Sequence, residues 1–355
     1  MQSNEIRVGL IGFGYASKTF HLPLLRATDG YRITAVASHR AAEVNVALRG
    51  VDVVADPQAM AAHPGVDLVV IASPNDTHAP LVESMLRAGR HVVVEKPFTL
   101  TVAEARHLSS VALESGKLLS VFHNRRWDSD FLTVQSAIRD RLVGQVALFE
   151  SRFDRFRPQV LDRWREKSGR GSGLLYDLGP HLIDQALLLF GIPDNVQATL
   201  AKQRHGAEAI DYFQLVLRYG EHVVTLQAGS LVSSGSARFA VHGDRASLVK
   251  QKPDVQEDQL RAGMMPGAPG WGVDPDNAVL HDGATGETRS LEAIPGDQRG
   301  YYVALREALC GRAPNPVPPT QGAAVIAIIE AALRAEAEGR RVAPELADDE
   351  RAAWT

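Results

Sequence analysis

Apolar and polar positions follow two regimes along this chain. Over residues 1–123, short unbroken apolar runs alternate with segments whose apolar positions recur at helical spacing. The first run (Val8, Leu10, Ile11) breaks at Gly12-Phe13-Gly14, and a helix is predicted over residues 20–27. Residues 31–37 (YRITAVA) read as a second strand. Residues 66–72 (VDLVVIA) read as another, apolar on both faces as in a parallel sheet covered by helices. Leu81, Val82, Met85, Leu86 and Ala88 mark a helix that Gly89 stops, and Thr101-x-x-Glu104 is a capping box opening another. Strands at 91–94 and 118–122 complete the alternation, which predicts a right-handed doubly wound sheet with ligands at the carboxyl ends of its strands.

From about Trp127 the alternation stops. A helix is predicted at 130–142, an alternating strand at 146–156, a polar glycine-containing segment at 157–172 and a helix at 174–190. Alternating strands at 212–219, 222–231 and 237–251, joined by short turns, predict an antiparallel sheet with one covered face. Residues 252–277, rich in proline and glycine, read as an extended loop, residues 282–286 as a hairpin turn, and helices near 300–310 and 320–338 close the chain. The predicted class is α/β: an N-terminal Rossmann doubly wound parallel sheet (1–123), then a C-terminal α+β domain with an open, mainly antiparallel sheet (124–355). An open sheet needs its other face covered, so a homodimer or higher homo-oligomer is expected.

A chain of 355 residues supports two cores. With a net charge of −4 and dispersed lysines and arginines, it carries no basic excess for a nucleic-acid backbone. No apolar run is long enough to cross a bilayer and the polar first residues lead straight into a strand, so a cytoplasmic location is expected. Cys310 is the single cysteine, which excludes an intrachain disulfide and a thiolate metal cluster.

Candidate chemistry collects where the predicted strands end. Gly12-Phe13-Gly14-Tyr15-Ala16 opens like a dinucleotide phosphate site: one glycine permits the turn, the next lets backbone N–H groups approach a pyrophosphate. Ser17 stands in place of the third glycine. After the second strand, Ser38-His39-Arg40 offers no carboxylate for a ribose 2′-hydroxyl but an arginine able to fork onto a 2′-phosphate, which favours NADP, with NAD as the alternative. Lys96, directly after an apolar run, is a cation set against buried surface, where the alternative is a salt bridge to Glu95 or Asp76. On the predicted helix at 174–190, Asp177, His181 and Asp184 line one stripe. A carboxylate can orient an imidazole whose ordinary pKa of about 6.5 suits proton transfer.

These segments together resemble a known family. GLIGFGYASKTFHLPLL, SPNDTH, VVVEKPFTL and GSGLLYDLGPHLID, in this order and spacing, resemble the glucose-fructose oxidoreductase / inositol dehydrogenase / MocA family of nicotinamide-dependent oxidoreductases. NRRWDSDFLT and FDRFRPQVLDRWRE resemble a bacterial subgroup of it. The resemblance implies that Lys96 stabilises a developing alkoxide, His181 serves as acid/base and Asp177 positions the substrate or the imidazole. It further implies that Pro74, Asn75, His78, Glu95 and Lys96 flank the cofactor, and that Trp164 and Arg165 belong to a segment closing over it. The implied function is NADP(H)-dependent hydride transfer between a secondary alcohol and a ketone of a small sugar-like or cyclitol substrate, without a metal. Reduction of a C=N or C=C bond, and cofactor sensing without turnover, are the alternatives.

Overall fold

The computed structural model describes residues 5–354 and divides into two compact units. The first runs to Asn124 and adds Gln256–Trp271 and Asp297–Ala323 from the second half of the chain. The second comprises Arg125–Val255, Gly272–Gly296 and the chain from Ala324 onward.

In the first unit, strands β1 (Ile6–Ile11), β2 (Tyr31–Ala37), β3 (Asp52–Val54), β4 (Leu68–Ile71), β5 (His91–Val94) and β6 (Leu119–Val121) form a parallel sheet. Its order, β3-β2-β1-β4-β5-β6, reverses direction between β1 and β4, which places a ligand crevice at the carboxyl ends of those two strands. The connecting helices are α1 (Leu22–Arg26), α2 (Ala41–Ala47), α3 (Ala59–Ala62), α4 (His78–Arg87) and α5 (Val102–Ser115). Every residue of β4 is fully buried, which explains its unbroken apolar run. The capping box on α5 forms as the sequence predicts. Thr101 Oγ1 accepts from the Glu104 N–H at 3.1 Å and Glu104 Oε2 accepts from the Thr101 N–H at 3.1 Å.

The second unit begins with α6 (Ser129–Arg139), β7 (Val146–Arg152), α7 (Gly173–Asp177) and α8 (Gly179–Phe190). Strands β8 (Asn195–Ala201), β9 (Tyr212–Tyr219), β10 (His222–Gly229), β11 (Phe239–Gly243) and β12 (Ala246–Lys250) follow. Next come α9 (Gln256–Arg261), which clusters with the first unit, and β13 (Ala278–Asp282) and β14 (Thr288–Leu291), which complete the sheet. Helices α10 (Arg299–Leu309), α11 (Pro319–Glu338) and α12 (Asp348–Ala352) close the chain. The eight strands run β14-β13-β12-β11-β7-β10-β9-β8 and pair antiparallel except for β7 with β10, which pair parallel. Buried positions alternate along β9 and β12, so one face is covered by the unit's own helices and core.

The structure departs from the sequence reading in several places. The stretch 237–251 forms two strands, β11 and β12, and residues 256–271 and 297–323 cluster with the first unit rather than the second. Residues 174–190 form two helices rather than one, broken at Leu178. Pro180 in the first turn of α8 lacks an N–H and crowds the carbonyl four residues back, so a continuous helix cannot pass through it. The stretch 252–277 is not wholly a loop, since it contains α9. The first helix begins earlier, as a π turn over Ser17–His21 that runs into α1.

Candidate functional site

The glycine turn is built from two different constraints. Gly12 adopts φ +93°, and a Cβ there would lie 2.6 Å from the Ala72 carbonyl oxygen at the end of β4, so only glycine lets β1 and β4 close at this point. At Gly14 a Cβ would meet nothing within 4 Å. The space above that backbone is what a pyrophosphate approaching the N–H groups requires, and the turn fits a dinucleotide. Ser17 is fully buried and its hydroxyl donates to the Gly12 carbonyl at 2.7 Å, so the residue in the third-glycine place secures the turn from beneath. Phe13 is buried. Tyr15 is exposed, and its hydroxyl donates to Glu257 Oε1 at 2.8 Å; partial burial and this carboxylate push the phenol up to about 12.

The rim continues at the ends of β2, β4 and β5. Beyond β2, the Arg40 N–H donates to Ser38 Oγ at 3.0 Å, and both His39 and Arg40 are exposed. The Arg40 guanidinium stands 3.9 Å from Glu43, a loose exposed pair that leaves it open to a stronger anion. Beyond β4, Pro74 precedes a 3₁₀ turn (Asn75–Thr77) in which Asn75 is buried. His78 is fully buried. Its Nδ1 lies 2.8 Å from the Pro97 carbonyl and its Nε2 3.1 Å from the Ser73 carbonyl, and the neutral ring donates to one of the two at a time, so both nitrogens are directed at backbone. Burial pushes this imidazole below its ordinary value.

Glu95 and Lys96 directly follow β5. Glu95 is buried; one carboxylate oxygen accepts the Lys96 N–H at 3.0 Å, and the other stands 3.0 Å from His21 Nε2. Burial pushes the Glu95 carboxyl up, but the His21 hydrogen bond and charge, with Lys96 nearby, hold it below its ordinary value. His21 Nδ1 in turn contacts the Tyr302 hydroxyl at 2.7 Å. In the sequence the only signal of this contact is a histidine inside the otherwise apolar stretch FHLPLL.

In the second unit the three residues of the predicted stripe fall on two successive helices. Asp177 closes α7, whereas His181 lies in the first turn of α8, where it is buried and its N–H bonds the Leu178 carbonyl at 3.1 Å. Asp184 belongs to a buried ion pair: Arg126 donates to its two oxygens at 2.6 and 2.9 Å. Helix α8 is anchored through Gln185, whose amide donates to the Arg125 carbonyl at 3.0 Å and whose oxygen accepts from the fully buried Arg238 at 2.8 Å. Trp164 and Arg165 form a 3₁₀ turn (Trp164–Glu166), the Arg165 guanidinium lying 4.8 Å from the Trp164 ring centre and its Nε 3.7 Å from Asp177. Arg165 thus stands beside Asp177, while Asp184 has Arg126 as its ion-pair partner.

The glycine turn at the switch point of a six-stranded parallel sheet defines a dinucleotide-binding domain. A family description, "Oxidoreductase family, NAD-binding Rossmann fold", matches residues 6–123, and its companion, "Oxidoreductase family, C-terminal alpha/beta domain", matches residues 135–343. The chain belongs to the Gfo/Idh/MocA oxidoreductase family. It is 48% identical over 330 residues to the uncharacterized oxidoreductase YdgJ of Escherichia coli, covering 92% of this chain and 95% of that one. It is 39% identical over 343 residues, 96% of each chain, to the scyllo-inositol 2-dehydrogenase (NADP(+)) IolW of Bacillus subtilis. The crystal structure of a Klebsiella pneumoniae protein, 49% identical, superposes with a TM-score of 0.93 over 99% of this chain and 98% of that one.

Proposed function

We propose that this oxidoreductase interconverts a secondary alcohol and a ketone on a sugar-like or cyclitol substrate with NADP(H), in the cytoplasm. The observation that carries the cofactor preference is the end of β2, where Ser38 replaces a carboxylate and Arg40 is exposed with only a loose partner. A carboxylate there would repel a 2′-phosphate, whereas a guanidinium can fork onto it. The substrate class is supported by the resemblance to a B. subtilis scyllo-inositol 2-dehydrogenase and, at 29% identity over 350 residues, to a Rhizobium meliloti inositol 2-dehydrogenase.

Gly12, Gly14, Ser38 and Arg40 hold the dinucleotide, with Phe13, Tyr15, Ala16, Pro74, Asn75 and Glu95 around it and Trp164-Arg165 as a covering segment. His78 contributes by fixing the loops. The bound nicotinamide supplies the acceptor or donor of hydride. His181 takes the hydroxyl proton as the carbonyl forms and returns it in the reverse direction. The Lys96 ammonium stabilises negative charge on that oxygen, and Asp177 positions the substrate or the imidazole. The protein acts as a homodimer or higher homo-oligomer. A panel of inositols, polyols and aldoses scanned for NADP+ reduction tests the reading. Turnover of at least one cyclitol or sugar is expected; silence across the panel with tight NADP binding would instead indicate a sensor.

A further inference from the structure

A solvent-open pocket lies within the second unit. Its wall carries five arginines (Arg155, Arg157, Arg163, Arg165, Arg204) against two carboxylates, Glu166 and Asp177. The carboxylates are shared unequally. Buried Glu166 accepts from Arg163 Nε at 2.8 Å and pairs with Arg204 at 3.0 Å, and Arg204 also reaches Asp211 at 2.9 Å. Asp177 stands 3.7 Å from Arg165, beyond hydrogen-bond distance. Even with Asp211 counted, five cations face three acids.

Arg157 is the member least committed to the fold. Its N–H donates to the Ser230 carbonyl at 2.8 Å and its own carbonyl accepts from Arg204 Nη1 at 3.3 Å, so its backbone is fixed in place. Its guanidinium is exposed and, among the described residues, has no side-chain partner. Converging guanidinium groups repel one another, and a concave wall focuses their field, so an arrangement of this kind favours an anion over a neutral group. The planar fork of arginine matches the oxygen spacing of carboxylate and phosphate.

We propose that this pocket binds an oxyanion, phosphate or carboxylate, carried on the polyhydroxy substrate, with Arg157 as its main anchor and Arg155 and Arg165 beside it. Resting on the sugar or cyclitol reading above, this narrows the substrate class to acidic or phosphorylated members. Asp177, on the same wall, faces the neutral hydroxyl-bearing part of the ligand.

The test compares inorganic phosphate binding by calorimetry at low salt with kinetics on matched pairs: myo-inositol against myo-inositol 1-phosphate, and glucose against gluconate. We expect the anionic partner to be preferred by about tenfold or more, the preference to shrink as salt screens the pocket, and Arg157→Gln to cut the preference about tenfold while Arg157→Lys restores part of it. Equal use of neutral and anionic partners would overturn the proposal, as would displacement of phosphate by saturating NADP, which would assign the anion site to the cofactor. Oxidation of neutral polyols without any anion preference would leave the general function standing and remove this pocket. Phosphate binding lost in Arg157→Gln, without oxidation of any polyol, would do the reverse. Should Arg157→Gln fail to fold, the salt dependence of wild-type phosphate binding decides the matter.

Discussion

Glu95 holds the Lys96 N–H with one carboxylate oxygen and meets His21 Nε2, 3.0 Å away, with the other. A residue after β5 and one from the π turn after β1 are thereby locked together beneath the rim, so the backbone from which Lys96 projects is tied to the glycine turn. The ionised carboxylate is the form the native state favours. Its folded pKa lies below the ordinary 4.5, so its stabilising contribution is full above about pH 4.5 and is lost as pH falls through the lower folded value. Urea midpoints measured from pH 7 down to pH 3 should therefore drop at the acid end. Glu95→Gln should flatten that drop and lower stability at pH 7 by about 1–3 kcal/mol; an unchanged acid limb would show that another group governs it.

The two glycines of the turn should respond differently to the same substitution. Gly12→Ala places a Cβ against the Ala72 carbonyl at a positive φ, and a fall in melting temperature is expected. Gly14→Ala meets no protein atom, so stability should stay within about 0.5 kcal/mol of wild type while dinucleotide affinity falls. Thermal melts with NADP titrations separate the two effects, and normal NADP affinity in Gly14→Ala would contradict the phosphate-approach argument.

Arg40→Asp should weaken NADP binding far more than NAD binding, because the introduced carboxylate repels a 2′-phosphate and can accept from a 2′-hydroxyl. Comparable losses for both dinucleotides would remove Arg40 as the phosphate partner.

Replacing His181 by Ala should lower kcat by about 100-fold or more with NADP affinity little changed. Single-turnover rates alongside equilibrium NADP binding make the distinction; undiminished turnover would remove His181 as the proton-transfer group.

Asp184→Ala offers a contrast. It leaves the Arg126 guanidinium buried without its carboxylate, which should cost about 3–5 kcal/mol of stability. Denaturant unfolding should register that loss, and kcat per folded molecule should remain within a few-fold of wild type.

Much of the first unit was legible in the chain itself, because a parallel sheet covered on both faces demands unbroken apolar runs such as β4, and each helix carries its own start and stop signals. The capping box on α5 is local chemistry between Thr101 and Glu104, and the glycine turn shows in its residue types, although the contact that demands Gly12 is made with Ala72. The partners of Asp177 and Asp184 were not legible, since helical spacing places the two on one stripe and only the fold brings Arg165 to one and Arg126 to the other. His21 escaped notice for the same reason: its partners, Glu95 and Tyr302, lie 74 and 281 residues along the chain.

Sequence alone determined the alternation of strand and helix, the glycine turn and the absence of a carboxylate after β2, all consequences of side-chain volume, backbone freedom and charge over a few neighbouring residues. Only the tertiary structure decided which charges neutralise one another, that Ser17 braces the turn beneath Gly12, and that five arginines converge on one wall with too few carboxylates. The physical reason is range: hydrogen bonds and ion pairs act over a few ångströms of space, and folding alone sets which residues of a 355-residue chain come that close.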